Sequence, residues 1–346
     1  MTDMENSDNG RRKRVLVVGA GGFIGGFIVG EGLRRGYDVY AGVRASTSRR
    51  YLSDERIRFV ELDFDGDDEV LTAALRGALP EGERWDYVAY NLGATKCNDF
   101  RDFNRINFDL MRRFVEALET AGMMPEKFLY MSSLSALGPG DEKDYTPYTE
   151  KMVPDPNTRY GLSKIKSETW LSANPQVPWI IFRPTGVYGP HDRDYLMMVK
   201  AIDRHFDFGV GYRRQMLTFI YVEDLARAIY DALERSAIHE TYIISEPRAY
   251  TQAEFRKIVA EALGRKFVIP VRLPLWAARM ASSVSETIGK ITMKPQTLNS
   301  DKYKIMRQRN WTCSVEHAVE GFGFAPQTDL RAGIAEVVRA YRAEKR

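Results

Sequence analysis

Cysteine and histidine are scarce in this chain, and their scarcity removes whole classes of chemistry. Two cysteines among 346 residues, Cys97 and Cys313, are too few for a disulfide framework or a thiolate zinc site. The four histidines (His191, His205, His239, His317) are scattered with no close pair to clamp a metal, so no metal site is expected. An excess of one charge is missing too. Lys+Arg 50 against Asp+Glu 47 leaves +3, which gives no electrostatic reason to expect nucleic acid as the partner. Long apolar runs are also absent. Met1–Gly10 is polar and acidic, unlike a secretory signal, and Ile269–Met293 is broken by Arg272, Arg279, Glu286 and Lys290, unlike a membrane span. A soluble protein of a reducing compartment, the cytoplasm, is expected. The basic run Arg11-Arg12-Lys13-Arg14 reads as the solvated lead-in to a first strand rather than an address or a phosphate patch.

What is present is enough apolar material, 44% against 28% charged, to bury a sizeable core. From Arg14 to about Arg183, short β-rich runs alternate with helical patterns, which predicts βαβ units and a parallel sheet. The runs are Val15–Val18, Val39–Val43, Arg58–Leu62, Tyr87–Tyr90, Phe128–Met131 and Trp179–Phe182, unalternated as in strands buried on both faces. Phe103, Ile106, Leu110, Phe114 and Leu118 fall at helical spacing on one apolar stripe. Helices are predicted near Glu223–Glu234 and Gln252–Leu263. The fold class is α/β: a Rossmann-type, doubly wound parallel sheet with a smaller, C-terminal-weighted substrate lobe. Residues 1–13 form a polar tail and 14–183 the nucleotide-binding domain, to which 217–245 return. Residues 184–216 and 246–346 supply most of the lobe.

Val15-Leu16-Val17-Val18 runs into Gly19-Ala20-Gly21-Gly22-Phe23-Ile24-Gly25 and then a helical stretch to Arg35. Strand, glycine turn and helix in that order are what a dinucleotide needs. Gly19 permits the tight turn, Gly22 lets a pyrophosphate approach the backbone, and Gly25 lets helix pack on sheet. Phe23 and Ile24 open the helix whose N-terminus faces the phosphates. At the second strand Asp38 sits at the wrong end to hold a ribose hydroxyl, whereas Arg44 ends the strand with Ser46, Arg49 and Arg50 close behind. A guanidinium there suits the 2′-phosphate of NADP, with NAD the alternative. Asp63 and Phe64, after the third strand, are placed at the adenine; Asp63 serves equally well as a cap for the following helix.

Tyr160-Gly161-Leu162-Ser163-Lys164 puts Tyr160 and Lys164 at i and i+4 on one helix face. A phenol titrates near 10, and a neighbouring ammonium favours its phenolate, so the pair suits proton exchange with a carbonyl oxygen. Alone, that spacing is commonplace. Upstream lies Tyr130-Met131-Ser132-Ser133-Leu134-Ser135-Ala136-Leu137-Gly138-Pro139, with hydroxyls at the end of a parallel strand, where ligands bind. Downstream come Arg183-Pro184-Thr185-Gly186-Val187-Tyr188-Gly189-Pro190 and Phe219-Ile220-Tyr221-Val222-Glu223-Asp224.

These five motifs in this order resemble the extended short-chain dehydrogenase/reductase family, which includes NAD(P)-dependent epimerases and dehydratases. The likeness is strongest to its 3β-hydroxysteroid dehydrogenase-like and dihydroflavonol-reductase-like branch. The resemblance implies that Ser133 orients the substrate oxygen, that Tyr160 is the acid/base, and that Lys164 lowers the pKa of Tyr160 and binds the nicotinamide ribose. It implies that Leu92, Gly93 and Ala94 line the cofactor, that Asn107 supports the lysine, and that Pro184 and Val187 contact the nicotinamide amide. A homodimer is likewise expected from the family.

Departures from the family pattern bear on the reaction. Leu134 and Ser135 stand where nucleotide-sugar dehydratases carry an Asp-Glu pair, and Gly186 where many nucleotide-sugar epimerases carry Asn. The expected activity is therefore hydride transfer between NADP(H) and a small-molecule carbonyl or secondary alcohol. An NAD-dependent nucleotide-sugar epimerase is the alternative, and a non-enzymatic NADP-binding protein the second. His191, Arg213 and Arg214 are polar candidates for substrate contact. Leu273-Pro274-Leu275-Trp276 and the helix after it suit a core, a pocket wall or an interface.

Overall fold

The computed structural model describes residues 11–97, 99–292 and 299–345; Met1–Gly10 of the expected tail and Met293 lie outside the described residues. Strand β1 (Arg14–Val18) leads to helix α1 (Phe23–Arg34), β2 (Asp38–Val43), β3 (Arg58–Glu61), α2 (Asp68–Gly77) and β4 (Tyr87–Tyr90). Next come α3 (Phe100–Asn104), a π-helical turn (Arg105–Asp109), α4 (Leu110–Ala121), β5 (Lys127–Met131), a 3₁₀ turn (Leu134–Leu137), α5 (Arg159–Ser172) and β6 (Trp179–Pro184). There follow β7 (Gly186–Tyr188), α6 (Asp194–Asp203), β8 (Phe206–Val210), β9 (Met216–Leu217), β10 (Phe219–Tyr221), α7 (Val222–Arg235) and β11 (Glu240–Ile244). The chain closes with β12 (Tyr250–Thr251), α8 (Gln252–Leu263), β13 (Ile269–Leu273), α9 (Leu275–Thr292), α10 (Ser300–Arg307), α11 (Glu316–Phe322) and α12 (Leu330–Glu344).

Seven strands form one parallel sheet in the order β11-β6-β5-β4-β1-β2-β3. Alternation along β1 sends Val15 and Val17 to one face and Leu16 and Val18 to the other, and all four are buried. Each face therefore has its own core. Ile28 and Val29 of α1 and Leu225, Ile229 and Leu233 of α7 cover the first; Leu71 and Leu75 of α2 and Met111, Phe114 and Leu118 of α4 cover the second. Fully burying each such side chain contributes about 1.5–3 kcal/mol, which is why these runs need no alternation of their own. The smaller lobe has a separate core in which Tyr188, Phe219, Phe255, Val259, Leu330 and Ile334 meet.

One expectation is corrected in the helical stripe. The π-turn inserts a residue between α3 and α4, so the phase shifts: Asn107 and Phe108 turn inward, and Ile106 is left half-buried.

Candidate active site

The strand order reverses direction between β1 and β4, and the C-terminal ends of these strands open into a cleft of about 980 Å³. The glycine turn forms one wall. Gly19 is left-handed (φ +82°), and a Cβ there would sit 2.8 Å from the Leu92 nitrogen. A Cβ on Gly25 would lie 2.2 Å from the Gly19 oxygen, so side chains are excluded where α1 meets the turn. Gly22 is the N-cap of α1 and no side chain caps it, which leaves the first amides of the helix available to an anion. Gly19, Gly22, Phe23 and Ile24 line the cleft, while Gly25 lies behind it as a packing residue.

Arg44 follows β2 directly, is exposed, and lines the cleft beside Ser46, Thr47 and Ser48. The amide of Arg44 donates to Thr47 Oγ1 at 3.0 Å, which turns this loop back over the glycine turn. The loop is pinned at its far end as well: Tyr51 stacks on His191 from the segment after β7, with ring centroids 4.1 Å apart. These two rings bridge the lips of the cleft. Phe64 lines it too, but Asp63 does not. The Asp63 carboxylate accepts from the amides of Asp65 and Gly66, and Asp67 is the N-cap of α2, so Asp63 shapes the preceding turn and neither reaches the cleft nor caps the helix.

At the other end of the cleft stand Ser133, Tyr160 and Lys164, with Leu92, Gly93, Ala94, Pro184 and Val187 around them. Helix α5 is started there by Thr158, whose hydroxyl accepts from the Gly161 amide at 3.0 Å, and by Asp301, whose carboxylate accepts from the Tyr160 amide at 3.3 Å. Burial pushes the Tyr160 phenol up to about 12, and the Ser133 hydroxyl beside it pulls the other way. Lys164 is pushed down to about 7 by burial, against the pull of Glu168. Its ammonium donates to the Met131 carbonyl at 2.7 Å and to the Tyr130 hydroxyl at 3.3 Å, rather than to the phenol. Of the two groups expected to act on the phenol, Ser133 is the one that lowers it here.

Asn107 stands behind this wall. Its Oδ1 accepts from the Ala94 amide at 2.7 Å, and its Nδ2 donates to the Ala94 carbonyl and to Ser163 Oγ. Its main-chain carbonyl accepts from Ser167 Oγ at 2.9 Å and from the Tyr130 hydroxyl at 3.3 Å. Tyr130 thus joins Lys164 to Asn107, a link that nothing in its sequence position announces. Below lies the buried pair Arg183–Glu168, whose carboxylate also accepts from Ser132 Oγ and so ties α5 to the ends of β5 and β6.

Leu217, Phe219, Trp311 and Ile305 also line the cleft on the Tyr160 side. Lys96 Nζ reaches Asp194 at 2.5 Å and Lys302 Nζ at 3.6 Å, so one carboxylate draws two cations to this end. Of the polar candidates, His191 lines the cleft; Arg213 and Arg214 do not, and Arg213 donates instead to the Glu142 carbonyl. Leu273, Leu275 and Trp276 are also off the cleft wall and exposed, which removes the core and pocket-wall readings for them. Lys96, Asp194, Lys302 and Asp301 are the residues that motif reading missed. They come from separate segments and share no local pattern.

Among the described residues, no three His, Cys, Asp or Glu side chains group to hold a metal, and no helix is long and apolar enough to cross a membrane. The model of the NAD dependent epimerase/dehydratase family matches residues 15–245. The chain is 26% identical over 332 residues to the ceramide reductase of Caulobacter vibrioides, covering 95% of this chain and 94% of that protein. It is 25% identical over 268 residues to a 3-beta-hydroxysteroid dehydrogenase of Mycolicibacterium neoaurum, covering 73% and 71%. The UDP-glucose 4-epimerase of Thermus thermophilus, solved with NAD, superposes with a TM-score of 0.73 at 21% identity, over 95% of this chain and 99% of that one.

Proposed function

The chain belongs to the NAD dependent epimerase/dehydratase family and is an NAD(P)-dependent oxidoreductase, and we propose that it works with NADP(H) drawn from solution on a free carbonyl compound or secondary alcohol. The observation that carries this reading is the placing of Ser133 and Tyr160 together at the end of a cleft whose other end is a glycine turn with Arg44 at its lip. A dinucleotide fits that cleft: the side-chain-free turn and uncapped helix receive the pyrophosphate, and Arg44 with Ser46 and Ser48 receives the ribose phosphate. Bound nicotinamide supplies or accepts a hydride at the carbon of the substrate. The phenol of Tyr160 gives its proton to the carbonyl oxygen, or takes it back from the alcohol, while Ser133 Oγ holds that oxygen. With the phenol near 12 and therefore protonated at neutral pH, the resting site is set to donate. Lys164, the amide of Ala94 held by Asn107, and the segment Pro184–Val187 form the bed for the nicotinamide riboside.

The substrate class we propose is apolar. One relative that covers 95% of this chain is named a ceramide reductase and another a 3-beta-hydroxysteroid dehydrogenase, and Leu217, Phe219, Ile305 and Trp311 supply matching walls. Leu134 is 2% exposed and Ser135 is its neighbour in the 3₁₀ turn, so the positions that bear carboxylates in dehydratases bear none. Action as a homodimer in the cytoplasm completes the proposal; both cysteines are free and buried, as a reducing compartment allows.

The test is mass spectrometry and fluorescence of the protein as purified, followed by titration with NADPH and NADH. Protein free of nucleotide that binds NADPH the more tightly supports the reading. NAD that survives dialysis would overturn it in favour of an epimerase that retains its cofactor.

A further inference from the structure

Away from the cleft, the ribbon of β8 and β13 and the helix that follows it leave apolar side chains in solvent. Parallel pairing sets Phe206 beside Ile269 and Phe208 beside Val271, so these four share one face of the ribbon. Phe206, Phe208 and Ile269 are 41%, 56% and 49% exposed. The opposite face carries Asp207, which is buried and held by Arg256 and Arg272. From Leu273 the chain passes through Pro274 into α9. There Trp276, Met280 and Val284 recur at i, i+4 and i+8, exposed by 68%, 62% and 59%. The inner side of α9 is accounted for: Ala278 and Ser282 are buried, and Glu286 binds Arg159 and Ser300. Scattered exposed apolar residues are ordinary, whereas a helix stripe continuous with a ribbon face marks an interaction surface.

The charge around this surface says what it meets. Segments 204–214 and 265–284 contain seven cations and one acid, Asp207; Arg213, Arg265 and Arg272 pair with Glu142, Asp203 and Asp207, and among the described residues Arg204, Arg214, Lys266 and Arg279 are in no ion pair. The whole chain is nearly balanced, so this excess is local. We propose that the face docks on the anionic surface of a lipid bilayer, with Trp276, Met280, Val284 and the ribbon aromatics in the interfacial region and the cations at the head groups. A second copy of the chain is a poorer partner, since it would bring like charges together. The inner side of α9 packs on α10, which carries Lys302 and Ile305 of the cleft, and Glu286 binds Arg159, the neighbour of Tyr160. Docking therefore sets the cleft one helix away from the bilayer. The docking stands on exposure and charge alone; that its purpose is to collect a membrane lipid as substrate rests on the reading of the reaction given above.

Flotation with phosphatidylcholine vesicles, with and without about a third phosphatidylglycerol, tests the docking. The expected result is at least tenfold tighter binding to the anionic vesicles, weakened about tenfold or more by ~0.5 M salt. The double variant Trp276→Glu/Met280→Glu should lose binding at least tenfold, and Arg279→Glu about fivefold. Both variants should titrate with NADPH like the wild type, which shows that the fold is intact. Wild-type protein that fails to float, or floats equally on both vesicles, overturns the proposal. So does a dimer in light scattering that the double variant dissolves, because the face is then a protein interface. A protein that floats yet binds neither coenzyme overturns the reductase reading and leaves the docking standing.

Discussion

A phenol enclosed by protein keeps its proton, and at Tyr160 that retention is the basis of the proposed chemistry. Tyr160→Phe removes only the hydroxyl, so kcat should fall by about 10²–10⁴ while the Kd for NADPH stays within about twofold; stopped-flow turnover and fluorescence titration separate the two. Near-wild-type turnover would remove Tyr160 from the mechanism. Lys164 makes a prediction of opposite character. Burial lowers its folded pKa to about 7, against about 10.4 in the unfolded chain. Between those values the unfolded state binds the extra proton, so stability contributed at this site rises with pH; at and below about 7 both states are charged and the full burial penalty is present. Lys164→Met should therefore melt above the wild type at pH 6–7 without nucleotide, and that gap should narrow as pH rises toward 10. A gap independent of pH would show that the lysine is not held against its charge. Here the sequence and the folded molecule part company. Tyr160 and Lys164 are legible as an i, i+4 pair. The direction of the ammonium, toward Met131 and Tyr130, depends on β5, which lies 33 and 34 residues away, and no local spacing encodes it.

Among elements, the strands and the glycine turn were legible because their causes are local. A strand buried on both faces needs an unbroken apolar run, and a turn passing within 2.8 Å of Leu92 needs Gly19. The π-turn at Arg105–Asp109 was not legible, because an even helical stripe runs straight through it; the partners of its Asn107 carbonyl, Ser167 and Tyr130, come from α5 and β5, far along the chain. Nor was the coupling of α5 to the sheet through Glu168 and Arg183, both nearly inaccessible. Removing one member leaves a buried charge unmatched, so Glu168→Ala should cost about 3–5 kcal/mol in urea unfolding. It should also lower kcat, since Ser132 loses its acceptor next to Ser133. A cost under about 1 kcal/mol would mean that water reaches Arg183. The lips of the cleft allow a gentler test. Tyr51→Ala deletes the stack on His191, a contact of about 0.5–1.5 kcal/mol, and should weaken NADPH and NADH alike by about 2–13-fold. Stopped-flow dissociation rates read this directly, and a selective loss of NADPH would move the phosphate contact from Arg44 to Tyr51.

For the molecule as a whole, the cleft is the seam along which its parts meet: the glycine turn and Arg44 come from one half of the sheet, Ser133 and Tyr160 from the other, and Lys302 and Trp311 from the closing segments. A ligand that touches all of them is bound by the folded chain alone, so binding must appear as stability. At a concentration 100 times its Kd, NADPH should add about 2.7 kcal/mol. Spread over the unfolding entropy of a chain of this length, that is a rise of about 4 °C in melting temperature. NADH at the same concentration should give a smaller rise, because Arg44 finds no phosphate on its ribose. In Arg44→Ala the two coenzymes should become equivalent, with the NADPH curve falling to the NADH one and the NADH curve staying in place. Scanning calorimetry of both proteins with both coenzymes decides it. If the NADH curve falls as well, Arg44 supports the loop over the glycine turn instead of reading the phosphate, and the preference for NADP loses its residue.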